Sequence, residues 1–419
     1  MQADDTTTSL EEGTGSPRRR LRPTATAAIV LAALAVIAAV LWSTFRGGGE
    51  PVPGAVSTSP PSTSLTSTTT TATAVSPSTP ISVPTGDADA PSRGVTVNPA
   101  ATLVERPDLP YLLDKTLHRG LATVSYAVSN RFGLIPLEDG RALLMENTRE
   151  TDWDTAQVRD AAGAAVTKVT AAVGRHLSAA PDGTGSRFAL MDASLDEGGS
   201  SGVLTLHDSQ GRKILTRSGV RDQLYPVGFV GERLLLSDHE GEGTSVWDLT
   251  SNTVSQYTAT GVAVSVSERS GRAALVELAD YDQPRCTTVL DVRGPAPVTV
   301  SRTCGLFYPS ELSADGRYLL GIKVPSDGML QSASRVIDVS TGEPVIMFEE
   351  PTPMDSDSRF LADGSVGLNL MVSEGGSWTN TLVRCTLSGE CTRMVDTVPV
   401  PGFDDHLLTR YHLVVDPRD

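Results

Sequence analysis

Cysteine, lysine and aromatic residues are scarce in this chain of 419 residues. All four cysteines follow residue 285, so the chain lacks an N-terminal cysteine for a lipid anchor. Only four lysines follow Ala101, and from there 28 Lys and Arg are set against 43 Asp and Glu. Contact with phosphate needs clustered cations, so this balance argues against nucleic acid as a partner.

Catalytic and cofactor motifs are also missing. The sequence contains no P-loop, no GxGxxG and no pair of histidines with HExxH spacing. Gly198 to Gly202 match GxSxG in letters, but the segment is polar and precedes a predicted strand, whereas a nucleophile elbow needs a strand before it and a helix after it. We therefore predict no cofactor, no metal and no catalytic residue.

One long uncharged apolar run is present, from Thr24 to Trp42. It is long enough to cross a bilayer, and Arg18, Arg19, Arg20 and Arg22 precede it. We predict a transmembrane signal-anchor helix over 24–45, a short disordered cytoplasmic tail over 1–23, and the bulk of the chain outside a cell membrane crossed once. A cleaved signal peptide is the alternative, and it exports the same domain.

The next segment, 46–100, has the composition of a linker. Between Ser57 and Pro80, 16 of 24 positions are Ser or Thr. Such a segment buries too little apolar surface to offset its ordering entropy, so we predict a disordered Ser/Thr/Pro-rich linker. Residues 101–419 then form the extracytoplasmic domain.

This domain contains an internal repeat. Turn residues followed by an apolar strand recur at positions 140, 183, 231, 271, 316, 364 and 405, at intervals of 40 to 48 residues. A second turn, marked by an aspartate, falls between them at positions 160, 208, 248, 291 and 338. Four strands in about 45 residues is the length of a propeller blade.

The two ends of the domain complement each other. The segment after Gly402 supplies two strands of a blade, and the segments YLLDKT and LATVSYAV before Asp139 supply the last two. We predict an all-β propeller of about seven four-stranded blades, with six as the alternative, closed by strands from both ends.

The repeats resemble a known group. The segments LSADGRYLLGIKV and RVIDVSTGEPV are similar to the TolB-type or WD-like propeller repeat, and Trp247-Asp248 is similar to the Trp-Asp pair of WD repeats. The resemblance covers roughly residues 109–416 and implies the architecture alone. The order of anchor, linker and propeller is similar to that of membrane-anchored surface proteins of actinobacteria.

The cysteines fit this repeat. Cys286 and Cys304 flank one hairpin turn, and Cys385 and Cys391 flank another, so each pair is expected to face across neighbouring strands and form a disulfide. A zinc site is the alternative.

Acidic and aromatic residues gather in the loops that join second and third strands. This possible binding rim contains Asp192, Asp196, Glu197, Asp238, Glu240, Glu242, Asp280, Asp282, Trp153 and Trp378, with Glu374 and Tyr281 in the same class of loop. We predict a non-catalytic module that binds a protein or cell-wall component there. An exported glycan- or peptide-processing enzyme with a site in the channel, and a transmembrane sensor, are the alternatives.

Overall fold

The structure is a computed structural model that describes residues 83–104, 110–119, 122–126, 131–147, 153–194, 201–238, 243–277, 285–323, 333–349, 358–374, 377–400 and 411–414. The chain divides into two units, 1–78 and 79–419, and all described residues belong to the second. The predicted tail, anchor helix and linker up to residue 82 lie outside them. Among the described residues, no helix is long and apolar enough to cross a membrane.

Five short strands precede the first complete blade. They are β1 (Thr85–Asp87), β2 (Arg93–Thr96), β3 (Tyr111–Leu113), β4 (Thr116–Arg119) and β5 (Ala122–Ser125).

Blades 1 to 3 follow in chain order, each a four-stranded antiparallel sheet. Blade 1 contains β6 (Arg131–Pro136), a 3-10 turn at Glu138–Gly140, β7 (Ala142–Asn147), β8 (Thr155–Arg159) and β9 (Ala165–Thr170). Blade 2 contains β10 (Arg175–Pro181), β11 (Arg187–Ser194), β12 (Gly202–Asp208) and β13 (Lys213–Val220). Blade 3 contains β14 (Leu224–Val230), β15 (Arg233–Asp238), β16 (Thr244–Asp248) and β17 (Thr253–Thr258).

Blades 4 to 6 repeat the pattern. Blade 4 contains β18 (Val262–Ser267), β19 (Arg272–Val276), β20 (Arg285–Asp291) and β21 (Val298–Gly305). Blade 5 contains β22 (Phe307–Leu312), β23 (Tyr318–Lys323), β24 (Ala333–Asp338) and β25 (Glu343–Glu349). Blade 6 contains β26 (Ser358–Phe360), β27 (Val366–Glu374), β28 (Ser377–Cys385) and β29 (Cys391–Arg393), with β30 (Val398–Val400) also paired to β28.

The described strands form seven sheets, which confirms the seven-bladed propeller. The predicted turns lie where the repeat placed them. Positions 140, 183, 231, 271, 316 and 364 fall between the first two strands of blades 1 to 6, and the second set of aspartates falls between the last two. Each aspartate bonds backbone amides of its own turn, as Asp208 does with Gln210 and Arg212.

The seventh blade is closed by both ends of the chain. Its last strand in sequence, β31 (Tyr411–Leu413), pairs with β3 in the register Tyr111↔Leu413. The described part of this blade has one C-terminal and three N-terminal strands, rather than two of each. The difference arises at Asp114, whose positive φ of 52° makes a tight turn, so that Thr116–Arg119 forms a strand of its own.

Two buried asparagines hold β31 against blade 6. Asn369 donates from Nδ2 to the carbonyl of Tyr411 at 2.7 Å, and Asn380 accepts from the amide of Tyr411 at 2.7 Å. Asn380 also donates to Asn369 at 2.7 Å. These bonds satisfy buried polar groups of both asparagines and of the closing strand.

Apolar residues fill the seams between neighbouring blades. Phe188 and Leu177 lie in the cluster between blades 1 and 2, and Trp247 lies in the cluster between blades 2 and 3. In blade 2, His207 is buried and stacks on Phe188 with ring centroids 5.1 Å apart. Burial lowers the pKa of His207 below its usual value.

Both predicted disulfides are present. Cys286 bonds Cys304 across β20 and β21, and Cys385 bonds Cys391 across β28 and β29. Among the described residues no cysteine is free.

The N-terminal segment joins the propeller earlier than the predicted boundary at residue 101. Strand β1 pairs in parallel with β21, and β2 pairs in parallel with β25. Leu103 continues the path with a parallel bridge to Arg393 in β29. The last part of the segment 46–100, predicted as linker, is therefore an outer layer on blades 4 to 6. Its Ala, Asp, Gly, Pro and Ser residues gave it the composition of a linker.

Candidate functional site

The propeller has two different faces. One face carries the tight turns between first and second strands and between third and fourth strands. The other face, called here the loop face, carries the connections from second to third strands and from each blade to the next. The described residues of the predicted binding rim lie in connections on the loop face or at the strand ends next to them.

Four residues of the predicted rim have described side chains: Trp153, Asp192, Asp238 and Trp378. The rest lie outside the described residues: Asp196, Glu197, Glu240, Glu242, Asp280, Asp282, Tyr281 and the side chain of Glu374. The structure therefore locates the rim only on blades 1, 2, 3 and 6.

Asp192 is neutralised within its own blade. It lies near the end of β11, and Arg175 at the start of β10 contacts its Oδ1 through Nε at 2.6 Å. Arg175 also donates through Nη2 to the carbonyl of Asp192 at 2.7 Å. The carboxylate therefore has a fixed cationic partner and is not an open ligand for a metal or a cationic peptide.

Asp238 occupies the matching position in blade 3. Arg221 contacts its Oδ2 at 2.9 Å, and the carboxylate is almost fully buried. In blade 4, Glu277 next to the end of β19 contacts Arg302 at 2.8 Å. A recurrent arginine–carboxylate pair at this level therefore neutralises Asp192 and Asp238 of the predicted rim.

Trp153 is the exposed aromatic residue of the predicted rim. Its side chain is 37% exposed, and its carbonyl accepts from the amide of Leu177 in the next blade at 2.6 Å. A Cβ placed on Gly133 would lie 3.8 Å from the indole ring, so the ring covers the inner strand of blade 1. Trp153 thus lies at the junction of blades 1 and 2, close to their inner strands.

Val173 extends this junction outward. It is 87% exposed and lies in the connection from β9 to β10, two residues before Arg175. An exposed indole, an exposed aliphatic side chain and the Arg175–Asp192 pair therefore share the loop-face end of this junction. We call Trp153, Val173, Arg175 and Asp192 the blade 1–2 platform.

Trp378 is placed differently. It is the second residue of β28 and is half-buried, and its backbone pairs with Ser373 on one side and with Val400 of β30 on the other. The structure does not bring Trp378 together with the blade 1–2 platform.

Sequence reasoning missed a buried polar group beside the platform. Glu146 and Asp154 are buried at the loop-face end of blade 1, and His176 is buried at the start of blade 2. Gln157 donates to Glu146, and the ring of His176 stacks on Tyr225 with centroids 5.5 Å apart. The signal in the sequence is weak, because Glu146 follows the apolar run ALLM of β7 whereas His176 lies in the mixed sequence RHLSAAP of β10.

No group of three or more His, Cys, Asp or Glu side chains within the described ranges is placed to hold a metal ion. The zinc alternative for the cysteines is excluded by the two disulfides, because oxidised sulfurs are no longer thiolate ligands.

No family model and no curated protein matches the chain. Several solved structures are similar in fold. The dihydro-heme d1 dehydrogenase NirN is 15% identical, with 76% of this chain and 78% of that chain covered and a TM-score of 0.44. Hsv2 of Kluyveromyces lactis is 10% identical, with 71% and 98% covered and a TM-score of 0.44.

A prolyl endopeptidase is 11% identical, with 64% of this chain and 42% of that chain covered and a TM-score of 0.42. Likeness at this level concerns the fold alone, and two of these three proteins are enzymes by name. The comparisons therefore do not choose between a binding and a catalytic function, and the similarity to actinobacterial surface proteins stays a prediction.

Proposed function

We propose that this protein is a membrane-anchored, extracytoplasmic propeller that binds a cell-wall glycan, without catalysis, at the blade 1–2 platform. The main support for the proposal is the position of Trp153, which is 37% exposed at a blade junction on the loop face. Its backbone bond to Leu177 fixes its position before any ligand arrives.

The electrostatics of the platform favour a glycan over a cationic ligand. Asp192 is paired with Arg175, so the carboxylate of the platform is neutralised. Sugars present apolar C–H faces that pack on an aromatic ring and hydroxyls that bond to paired charged groups. Trp153 would supply the first contact, and Arg175 with Asp192 would supply the second.

The location is part of the proposal. The uncharged run Thr24–Trp42 and the arginines before it support a single crossing with the N-terminus in the cytoplasm. Two disulfides support an oxidising compartment. Fractionation of cells, followed by protease treatment of intact cells, tests this part. A full-length protein in the cytoplasmic fraction would contradict it.

The binding part is tested by co-sedimentation of the full chain with purified peptidoglycan sacculi. We expect Trp153→Ala to reduce the bound fraction at least roughly tenfold, because it removes the stacking surface. Tyr308→Ala is the matched control, since Tyr308 is 36% exposed on blade 5 and lies outside the platform. Equal binding by the two variants would contradict the glycan site. Binding of a discrete protein in place of sacculi would favour the protein ligand.

A further inference from the structure

The segment Val83–Val104, called here the strap, follows the outer edges of three consecutive blades. It meets β21 of blade 4 first, then β25 of blade 5, and then β29 of blade 6. At its two ends it exchanges backbone hydrogen bonds with the propeller, because Arg302 donates to the carbonyl of Pro84 and Arg393 donates to that of Thr102, both at 3.0 Å. Pro84, at the start of the described part of the strap, is therefore already paired to blade 4.

The strap has an eight-residue repeat that matches the step between blades. The strap contains the units TGDADAPS and RGVTVNPA and the first half of a third, and the sequence ATLVERPD continues the spacing past the described residues, with prolines at 91, 99 and 107. Gly86 lies opposite Thr303 and Gly94 lies opposite Met347, eight residues later and one blade further on. The first two units each provide a short strand on one blade and then a proline-containing turn towards the next.

The strap also closes the seams between the blades that it crosses. Ala88 belongs to the apolar cluster between blades 4 and 5, and Val97, 1% exposed, belongs to the cluster between blades 5 and 6. Asp89 accepts from the amide of Leu306 at 2.9 Å and lies 3.6 Å from Nη1 of Arg335, which is 4% exposed. Separating the strap from the propeller thus exposes apolar surface and leaves a buried arginine without its carboxylate.

Both disulfides lie under the strap. Cys304, in β21, is the register partner of Asp87, and its bond to Cys286 ties β21 to β20. Cys391 begins β29, the strand whose Arg393 bridges to Leu103, and its bond to Cys385 ties β29 to β28. When the strap is pulled, these two outer strands cannot leave with it, so the strap contacts must break instead.

We propose that the strap bears tension between the N-terminal attachment and the ring, and that it releases one eight-residue unit at a time, from blade 4 to blade 6. The inference rests on the proposed attachment upstream of the strap. Each released unit would add about 28 Å of chain, at roughly 3.5 Å per residue. The strap is then an extensible reserve that lengthens the tether before any blade unfolds.

The test is an optical-tweezers measurement on the full-length chain held in detergent. One handle is joined to the N-terminus and the other to an azide introduced by Arg217→p-azidophenylalanine, on the exposed side of blade 2. We expect three extension steps before the ring unfolds, each shorter than about 28 Å because a bound unit already spans the distance between neighbouring blades. Ring unfolding before these steps, or extension without any step, would overturn the proposal.

A matched pair of glycine variants isolates the first unit. A Cβ on Gly86 would lie 2.0 Å from the carbonyl oxygen of Gly342, which is backbone, whereas a Cβ on Gly94 meets only the Glu349 side chain at 3.3 Å. We expect Gly86→Ala to lower the force of the first step alone and Gly94→Ala to leave all three steps unchanged. Equal first-step forces in the two variants would contradict the assignment of the first step to the unit that contains Gly86. These measurements use purified protein, so their outcome does not depend on glycan binding or on the location of the protein in the cell.

Discussion

Blades 1 to 3 and blades 4 to 6 protect their outer edges in different ways. Blades 4 to 6 receive the strap as a further strand or bridge, and the two described disulfides lie in blades 4 and 6. In blades 1 to 3, β9, β13 and β17 have no further strand paired to them among the described residues. The two halves therefore prevent an open sheet edge from pairing with another chain in different ways.

Blades 1 and 2 protect their outer edges with charged side chains. Only four lysines follow Ala101, and two of them lie on these outer strands, Lys168 in β9 and Lys213 in β13, where Arg217 adds a third cation. Charged side chains on an edge oppose pairing with another chain. The strap therefore reinforces only the half of the ring to which the N-terminal segment is paired.

The largest expected effect comes from one core truncation in each half. Phe188 in blade 2 and Phe348 in blade 5 are both fully buried, and either change to Ala should cost about 3–5 kcal/mol in free energy of unfolding. Phe348 is also the register partner of Val95 in the strap. Denaturant unfolding measures this loss of stability. Limited proteolysis between 83 and 104 measures whether the strap is loosened as well. Only Phe348→Ala should accelerate that cleavage, and equal acceleration by both would remove the distinction between the halves.

The disulfides rank next. Replacing Cys286 and Cys304 by Ser opens a loop with a sequence separation of 18, and replacing Cys385 and Cys391 opens one with a separation of 6. Chain-entropy arithmetic gives losses of about 3 and about 2 kcal/mol respectively. Thermal unfolding shows which of the two double variants loses more stability. A larger loss on opening the shorter loop would contradict the chain-entropy explanation of the two disulfides.

A smaller effect is expected from the strap itself. Val97→Ala removes two methyl groups from the seam between blades 5 and 6, which should cost about 1.6 kcal/mol. Val173→Ala is the control, because Val173 is 87% exposed and should cost close to nothing. Comparable stability of the two variants in denaturant unfolding would mean that the strap does not contribute to that seam.

The smallest effect is a pH dependence that arises in blade 2. Burial lowers the pKa of His207 in the folded protein, so between that value and the unfolded pKa of about 6.5 the unfolded state binds more protons. The free energy of unfolding should therefore fall as pH decreases through 6.5. His207→Gln should flatten this slope in unfolding measurements between pH 5 and 8, and an unchanged slope would show that His207 is not its origin.

Turns and cysteine pairs were predictable from the sequence because their chemistry is local. Asp208 and Asp248 each bond amides of their own turn, so the turn is visible as a short motif wherever it occurs. Cys385 and Cys391 flank one such turn. These features were sufficient to predict seven blades and both disulfides.

The platform and the strap depend on contacts that the sequence does not display. Arg175 and Asp192 are 17 residues apart and meet only because β10 and β11 are antiparallel neighbours. The strap has the composition of a linker, and its regularity is confined to the eight-residue spacing of Pro91, Pro99 and Pro107. A search for periods shorter than a blade would have found that spacing.

Hydrogen exchange at single-residue resolution tests directly whether the strap is bound along blades 4 to 6. The amides of Arg302 and Arg393 donate to Pro84 and Thr102 of the strap. The account predicts that these two amides exchange on the order of tenfold or more slowly than the slowest outward-facing amides of β9, β13 and β17. Exchange at the same rate in both halves would show that the strap is not held, and would contradict the account.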